Sequence, residues 1–297
     1  MTAAERYTVE HETRYAYAAP ASQSWQRAHL MPRTLPWQKL LSHSLHIDPM
    51  PDENHDAPDS FGNTVTQFAL HGAHRMLRVR MQCLVEVGAR PAVAASSVAS
   101  ASEWESVRDA VRADPQLDAL MPARLCEPTL LVPWSEAARV YAAPSFAAGR
   151  PWLEAVTELM HRIHADFEFE PGATTVSTSV DEVLYQRRGV CQDFAHLMLS
   201  CLRGHGLPAR YVSGYLLTDP PPGQARLMGV DASHAWVAAY APEFGWVEFD
   251  PTNDQLADTR YITLAWGADF ADVVPLRGVI IGGGDQLMDV AVSVIPS

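Results

Sequence analysis

The chain has 297 residues, and 22 lysines and arginines against 35 aspartates and glutamates give it a formal net charge of −13 at pH 7. Hydrophobic residues make up 47% of the composition, which is ample for a packed core in one large domain or two. The acidic balance disfavours nucleic acid and anionic membranes as partners, and no apolar run has the length that crosses a bilayer.

The cysteines and the N-terminus together predict where the protein resides. The N-terminal residues contain no hydrophobic signal segment, and the four cysteines are Cys83, Cys126, Cys191 and Cys201. We therefore expect reduced thiols and a cytoplasmic location. No pair of cysteines has the CxxC spacing, which disfavours a cysteine-based zinc site and a dithiol redox function.

Residues 1–90 are typical of a β-rich region. Alternation of apolar and polar residues predicts strands at 7–17, 41–47, 65–70 and 76–87. No catalytic constellation is present there, so we expect a structural role or one wall of a substrate cleft. Residues 91–104 are rich in Ala and Ser without a period, which predicts a linker.

Helical patterns follow the linker. Apolar residues at spacings of three and four predict helices at 104–113, 135–141, 151–165 and 180–186. Ser135 and Ser179 are predicted N-caps, and Glu182 stands at the capping-box position after Ser179. The last of these helices leads to the stretch 187–196, around which the rest of the chain is organised.

A cysteine stands at the start of the next predicted helix. Gly189 marks a turn, and the helix from Cys191 to about Gly204 has an apolar stripe at Phe194, Leu197, Met198, Cys201 and Leu202. Unpaired N–H groups and the positive end of the helix dipole favour the thiolate, which is the nucleophilic form. The alternative is a buried cysteine that packs as a small apolar side chain.

A histidine and an aspartate lie on a predicted hairpin downstream. Strand-like runs at 233–240 and 246–250 are joined by five residues that include proline and glycine. If Tyr240 pairs with Trp246, then His234 is a diagonal neighbour of Asp250 on the same face. A one-residue slip of this register would place the two on opposite faces of the sheet.

Together these residues make a complete set for nucleophilic catalysis. A thiol is activated by a neighbouring imidazole, and a carboxylate on the other ring nitrogen fixes the tautomer of that imidazole. Taken singly, Cys191 could be a core residue, His234 a strand histidine and Asp250 a strand end before proline. The order Cys, His, Asp favours the catalytic interpretation.

Three separated blocks resemble the transglutaminase-like superfamily, and more narrowly its bacterial members that are described as cysteine proteases. The blocks are Gly189-Val190-Cys191-Gln192-Asp193-Phe194-Ala195-His196, Ser233-His234-Ala235-Trp236 and Phe249-Asp250-Pro251-Thr252-Asn253. The resemblance implies a papain-like α+β core, with Cys191 as nucleophile, His234 as general base and acid, and Asp250 as its orienting residue. It implies no cofactor, and no EF-hand-like acidic loop for calcium occurs.

The same resemblance extends to both ends of the chain. It implies an accompanying β-rich N-terminal region, a catalytic core at residues 105–256, and C-terminal strands at 257–297 that pack on the core or the N-terminal sheet. Residues 261–278 resemble a tail block of these bacterial proteins. Within that block, Asp269 and Asp272 are expected either to fix a turn or to line the cleft.

Two further histidine groups are weaker candidates for a function. His161 and His164 share a helical face at a spacing that can suit a metal ion, but no carboxylate or cysteine ligand accompanies them. Asp193 and His196 form an i, i+3 pair, which predicts that Asp193 orients His196. We therefore expect neither a metal site nor a second catalytic base.

The sequence thus predicts thiol-dependent acyl transfer at an amide or peptide carbonyl of a peptide or protein substrate. Water as acyl acceptor gives a protease or amidase, and an amine gives a protein-glutamine transamidase; the resemblance favours hydrolysis. A third possibility is a non-catalytic binding protein that keeps the fold, against which the intact set of Cys191, His234 and Asp250 argues.

Overall fold

The structure is a computed structural model that describes residues 4–91, 102–113, 122–218 and 233–297. Most of the predicted linker lies outside the described residues, as do residues 114–121 and 219–232. Among those described, no helix is both long and apolar enough to cross a bilayer.

The N-terminal region is all β, as predicted. Its strands are β1 (Glu5–Ala28), β2 (Gln38–Asp48), β3 (Glu53–Pro58), β4 (Thr64–Leu70) and β5 (His74–Val87). They pair in the order β2-β5-β1-β4-β3, and all the described pairings between them are antiparallel. The predicted alternation along residues 7–17 is confirmed, because Tyr7, Val9, His11 and Thr13 are buried on one face.

Helices and two short strands follow in the described residues. They are α1 (Trp104–Ala113), α2 (Glu136–Ala142), α3 (Trp152–Asp166), β6 (Glu168–Phe169), α4 (Val180–Gln186), β7 (Arg188–Gly189) and α5 (Cys191–Gly204). Ser135 accepts a hydrogen bond from the backbone of Ala138, which confirms it as an N-cap. Ser179 and Glu182 form the predicted capping box at the start of α4.

A second antiparallel sheet carries α5 on one face. Its strands are β8 (Ala209–Leu216), β9 (Ser233–Ala241), β10 (Gly245–Asp250), β11 (Gln255–Leu256) and β12 (Tyr261–Gly267), in the order β11-β10-β9-β8-β12. Apolar residues of α5 pack with Ala235, Val237 and Ala239 of β9 in one core cluster. Trp236, Ala238 and Tyr261 belong to a separate cluster. Along β9, Trp236 and Ala238 alternate with the residues that pack against α5.

The last two strands return to the N-terminal sheet. After a 3₁₀ turn at Phe270–Asp272, β13 (Leu276–Gly282) and β14 (Gln286–Pro296) both pair antiparallel with β1. The segment after residue 256 therefore contributes β12 to the second sheet and two strands to the first.

Side-chain amides join the two sheets along the edge strand β12. The buried carboxamide of Gln38 donates to the carbonyl oxygen of Thr263 and accepts from its N–H, both at 2.8 Å. Asn63 makes the same pair of bonds with the backbone of Trp266, at 2.8 and 3.0 Å. Since unpaired backbone groups at a buried edge are costly, these amides substitute for a neighbouring strand.

Candidate active site

The start of α5 is fixed by a carboxylate. Asp193 accepts a hydrogen bond from the backbone N–H of Val190 at 2.8 Å and another from the Thr174 hydroxyl at 2.6 Å. Gly189 lies against this side chain, because a Cβ at position 189 would stand 2.8 Å from an Asp193 oxygen. The half-buried Cys191 is thereby set in the first helical turn, where backbone N–H groups have no intrahelical acceptor.

The hairpin has the predicted register. Trp246 pairs with Tyr240, and Phe249 pairs with Val237. The His234 Nε2 atom lies 2.7 Å from Asp250 Oδ2, so the predicted diagonal contact is present. With Nε2 engaged by the carboxylate, Nδ1 is the nitrogen left for the thiol.

Asp250 is fully buried and is surrounded by donors. Its Oδ2 accepts from His234, from Asn253 Nδ2 and from the Tyr261 hydroxyl, each at 2.7 Å. Its Oδ1 accepts from the backbone N–H groups of Thr252 at 2.9 Å and Asn253 at 3.2 Å. Burial alone would raise the pKa of this carboxyl, but the hydrogen bond and charge of His234, with those of Asn253 and Tyr261, lower it.

The imidazole of His234 interacts with both other members of the set. Burial alone would lower its pKa, but hydrogen bonds and charges from Asp250 and Cys191 raise it above the ordinary value for histidine. This direction favours the protonated imidazolium of His234, which can donate a proton beside the thiol. The structure therefore brings Cys191, His234 and Asp250 together.

Two residues of this site were not predicted. Asn253 donates to Asp250 and also lies 3.3 Å from His234 Nε2, and Tyr261 donates to Asp250 from the start of β12. The available signal for Asn253 was its place in the third sequence block. Tyr261 carried no such signal, because it meets Asp250 only through the arrangement of the sheet.

The predicted contact between Asp193 and His196 is wrong. The carboxylate of Asp193 accepts from the Val190 N–H and the Thr174 hydroxyl, as described above. It is directed toward the start of the helix and away from His196, which lies one turn further on. The His196 Nε2 atom instead accepts from the backbone N–H of Phe270 at 3.2 Å. Burial lowers the pKa of His196 to about 4, so this ring is neutral and structural.

The remaining candidates also make structural contacts. Asp269 accepts from the N–H of Ala271 at 2.7 Å, and Asp272 accepts from that of Ala268 at 2.8 Å, so both fix a turn. His161 pairs with Asp254, and His164 Nδ1 lies 2.9 Å from the carbonyl oxygen of Thr252. Both histidines thus contact the turn after β10, and no described group of three or more potential ligands could hold a metal ion.

Both the N-terminal region and the core of this chain are similar to known proteins. Residues 7–86 match the bacterial transglutaminase-like N-terminal region, and residues 141–251 match the transglutaminase-like superfamily. An uncharacterized protein of Mycobacterium tuberculosis is 42% identical over 306 residues, which span 100% of this chain and 94% of that protein. A protein-glutamine gamma-glutamyltransferase of Pseudomonas aeruginosa is 33% identical over 123 residues, which span 35% of this chain and 18% of that protein.

A solved structure shows the same fold. The crystal structure of a candidate cysteine protease from Cytophaga hutchinsonii has a TM-score of 0.77 at 18% sequence identity, covering 99% of this chain and 91% of that chain. The predicted fold is therefore confirmed: a papain-like α+β core, with the helix that bears Cys191 on an antiparallel sheet, beside an N-terminal all-β region.

Proposed function

Because the chain belongs to the transglutaminase-like superfamily, we propose that it is a thiol enzyme that transfers an acyl group from an amide or peptide carbonyl to water. The observation that carries the proposal is the His234–Asp250 hydrogen bond beside the thiol of Cys191 at a helix start. A thiol, an imidazole and a buried carboxylate in this order supply a nucleophile, an acid–base group and its orienting residue.

The reaction proceeds through a thioester. The Cys191 thiolate attacks the carbonyl carbon, and the imidazolium of His234 gives its proton to the leaving amine as the C–N bond breaks. Water then attacks the thioester while His234 takes a proton from it, which releases a carboxylic acid and restores the thiol. Asp250 remains ionised throughout and stabilises each imidazolium that forms.

The start of α5 offers one donor for the oxyanion. The N–H of Cys191 lies in the first helical turn, so no residue of the helix accepts its hydrogen bond. A backbone N–H at this position points toward the carbonyl that the Sγ atom attacks, and the helix dipole favours negative charge there.

Transamidation is the second candidate, and one observation favours it. The matched Pseudomonas aeruginosa relative is a protein-glutamine gamma-glutamyltransferase, although only 35% of this chain aligns with it. In that case a primary amine replaces water in the second half-reaction and a new amide forms. The same three residues serve both reactions, and the difference lies in how well the cleft excludes water.

The decisive experiment identifies products by mass spectrometry. The protein is incubated with a library of peptides that contain glutamine and lysine, with and without a small primary amine. We expect cleaved or deamidated peptides from the wild type and none from Cys191→Ala, while Cys201→Ala in the same helix retains activity. Amine adducts at glutamine would establish transamidation, and products that persist in Cys191→Ala would contradict the proposal.

The proposal includes a setting for the enzyme. All four cysteines are free, which supports a reducing compartment and hence the cytoplasm. The net charge of −13 supports a peptide or protein substrate over nucleic acid or an anionic membrane. Fractionation of cells that produce the protein tests the location, because recovery outside the cytoplasmic fraction would contradict it.

A further inference from the structure

Two aromatic rings surround the His234–Asp250 pair. The indole of Trp236 is stacked on the His234 ring, with centroids 6.0 Å apart and planes 26° apart. The Tyr261 ring stands edge-on to Trp236 at 5.3 Å and lies 6.1 Å from His234. Both rings are fully buried, and the Tyr261 hydroxyl donates to Asp250. The orientation of the imidazole therefore depends on where these two rings stand.

One ion pair contacts the indole N–H of Trp236 and the backbone of Tyr261. Glu248 Oε2 accepts a hydrogen bond from the indole N–H of Trp236 at 2.9 Å and another from Arg90 Nε at 3.1 Å. Arg90 also donates to the carbonyl oxygen of Tyr261 at 3.2 Å and to that of Asp258. A single guanidinium thus connects the residue that fixes Trp236 with the backbone that carries Tyr261.

The guanidinium comes from the N-terminal region and not from the catalytic core. β5 ends at Val87, and Arg90 follows three residues later, beyond Gly88, whose N–H donates to Trp37 at 2.7 Å. Trp37 belongs to the same region, and its ring lies 5.9 Å from the Arg90 guanidinium. The β-rich region therefore reaches the triad through this arginine.

The Arg90–Glu248 ion pair contributes more to the orientation of its neighbours than to the stability of the fold. The side chains of Arg90 and Glu248 are only 11% and 2% exposed, so the cost of removing both charges from water largely offsets their attraction. The main contribution of the pair is therefore to geometry, because the planar guanidinium of arginine holds several acceptors in one arrangement. Lysine would carry the same charge without that fork.

We propose that Arg90 and Glu248 are positioning residues of the acyl-transfer site, which hold Trp236 and Tyr261 against the His234–Asp250 pair. The inference rests on the proposed function, but the effect that it predicts is on the orientation of the His234 imidazole and can be measured without catalysis. The N-terminal β region is then part of the catalytic machinery, since it provides Arg90. Loss of Arg90 loosens Tyr261 and Trp236 together and leaves His234 less well oriented toward Asp250.

The test measures the pKa of His234 by NMR titration in full-length protein. All variants carry Cys191→Ala, so that no catalysis is required, and a His234→Gln spectrum assigns the signal. The principal variant is Arg90→Met with Glu248→Gln, which removes both charges and keeps an acceptor for Trp236. Arg78→Met is the matched control, because Arg78 pairs with Glu12 on the N-terminal sheet.

The expected result is a pKa of His234 that falls by about one unit in the double variant, a tenfold change in the imidazolium equilibrium. The Arg78→Met control retains the parental pKa. Glu248→Gln alone lowers the pKa of His234 less than the double variant does, because Arg90 stays in contact with Tyr261 and the introduced amide oxygen still accepts from Trp236. An unchanged pKa in a folded double variant would overturn the proposal. So would an equal fall in Glu248→Gln alone, since that result would assign the effect to charge.

A second variant keeps the test decisive if the double variant does not fold. Trp236→Phe retains a ring against His234 and removes only the N–H that Glu248 accepts. We expect a smaller fall in the pKa of His234, and an unchanged value would overturn the proposal. If the pKa falls as expected while the wild type lacks acyl-transfer activity on the peptide library, the positioning role stands and the proposed function fails.

Discussion

Asp250 remains ionised in the interior because every group around it is a donor. Five hydrogen bonds reach its two oxygens, from His234, Asn253, Tyr261 and two backbone N–H groups. A carboxylate without such partners would be neutralised by burial. Because Oδ2 receives the Nε2 proton of His234, the tautomer with Nδ1 facing the thiol is favoured.

Asp250→Asn should abolish most activity. Both oxygens of Asp250 accept hydrogen bonds, so the NH₂ group of asparagine would face a donor at either position. We expect the rate of acyl transfer to fall about 10³- to 10⁴-fold, the scale seen when a triad loses its orienting carboxylate. Steady-state kinetics measures this change, and thermal unfolding verifies the fold. Asp109→Asn is the control, because that exposed carboxylate binds Arg108 and should leave the rate unaltered.

Sequence patterns indicate the three residues of the proposed triad, but they do not indicate the residues that contact Asp250. A cysteine at a helix start is a local pattern, and so is a histidine and an aspartate on the same face of one hairpin. Tyr261 reaches Asp250 although β12 lies at the opposite edge of the sheet order from β10 and β11. Asn253 depends on a turn in which Asp254 has a positive φ of 55°, which no periodicity indicates.

At the scale of elements, the start of α5 determines the position of Cys191, the proposed nucleophile. Asp193 accepts from Val190 and so satisfies one of the donors that precede the helix, and Gly189 leaves the space for its carboxylate. The preceding helix α4 ends at Gln186, and its C-cap residue Arg187 has the left-handed conformation, with a φ of 56°. These two features set the angle at which the chain enters α5.

Gly189→Ala should displace Asp193, because the new methyl group would lie 2.8 Å from its oxygen and 2.9 Å from its Cβ. We expect a loss of about 1–3 kcal/mol in the free energy of unfolding, typical of overpacking, together with reduced activity. Urea denaturation measures the first and the peptide assay the second. Gly72→Ala meets no atom within 4 Å and should alter neither; equal effects in both variants would contradict this account.

The helices were predicted more accurately than the strands. Ser135 and Ser179 gave local capping signals that tertiary structure did not override. β1 was predicted at residues 7–17 but spans Glu5–Ala28, because the alternation ends near Pro20 while the pairing continues. Its first half pairs with β5 and β14 and its second half with β4 and β13, which are contacts distant in sequence.

At the scale of the whole molecule, a buried histidine joins the two sheets. His11 of β1 lies 2.8 Å from the hydroxyl of Tyr215 in β8, and its other ring nitrogen lies 3.2 Å from Thr13. Burial lowers the pKa of His11 to about 4. The folded protein therefore keeps this ring neutral, whereas the unfolded chain protonates it near its ordinary value.

The contact between His11 and Tyr215 should weaken in acid. Since the unfolded state binds the extra proton between about pH 6.5 and pH 4, the contribution of His11 is complete above that range and is lost as the pH falls. From pH 7 to pH 5 the loss is about 2 kcal/mol in the free energy of unfolding. We expect His11→Asn to reduce this pH dependence in urea denaturation, while exposed His55→Asn does not; equal slopes would contradict the assignment.

The contacts between the two sheets lay beyond sequence analysis. Periodicity predicts the individual strands and helices of the two regions, but Gln38, Asn63 and Arg90 are isolated polar residues in segments without a period. Their roles depend on the backbone of β12 and on Glu248, which stand about 160 to 225 positions further along the chain. Only the folded arrangement brings these groups together.

Activation of Cys191 by His234 is tested most directly by the rate at which iodoacetamide alkylates each cysteine at pH 7, resolved by peptide mass spectrometry. Burial raises the pKa of Cys83 to about 12, that of Cys126 to about 11, and that of Cys201 further, so these thiols should react slowly. We expect Cys191 to react fastest in the wild type and about 10²-fold more slowly in His234→Ala. A Cys191 that reacts no faster than Cys126, or at the same rate in both proteins, would contradict the triad.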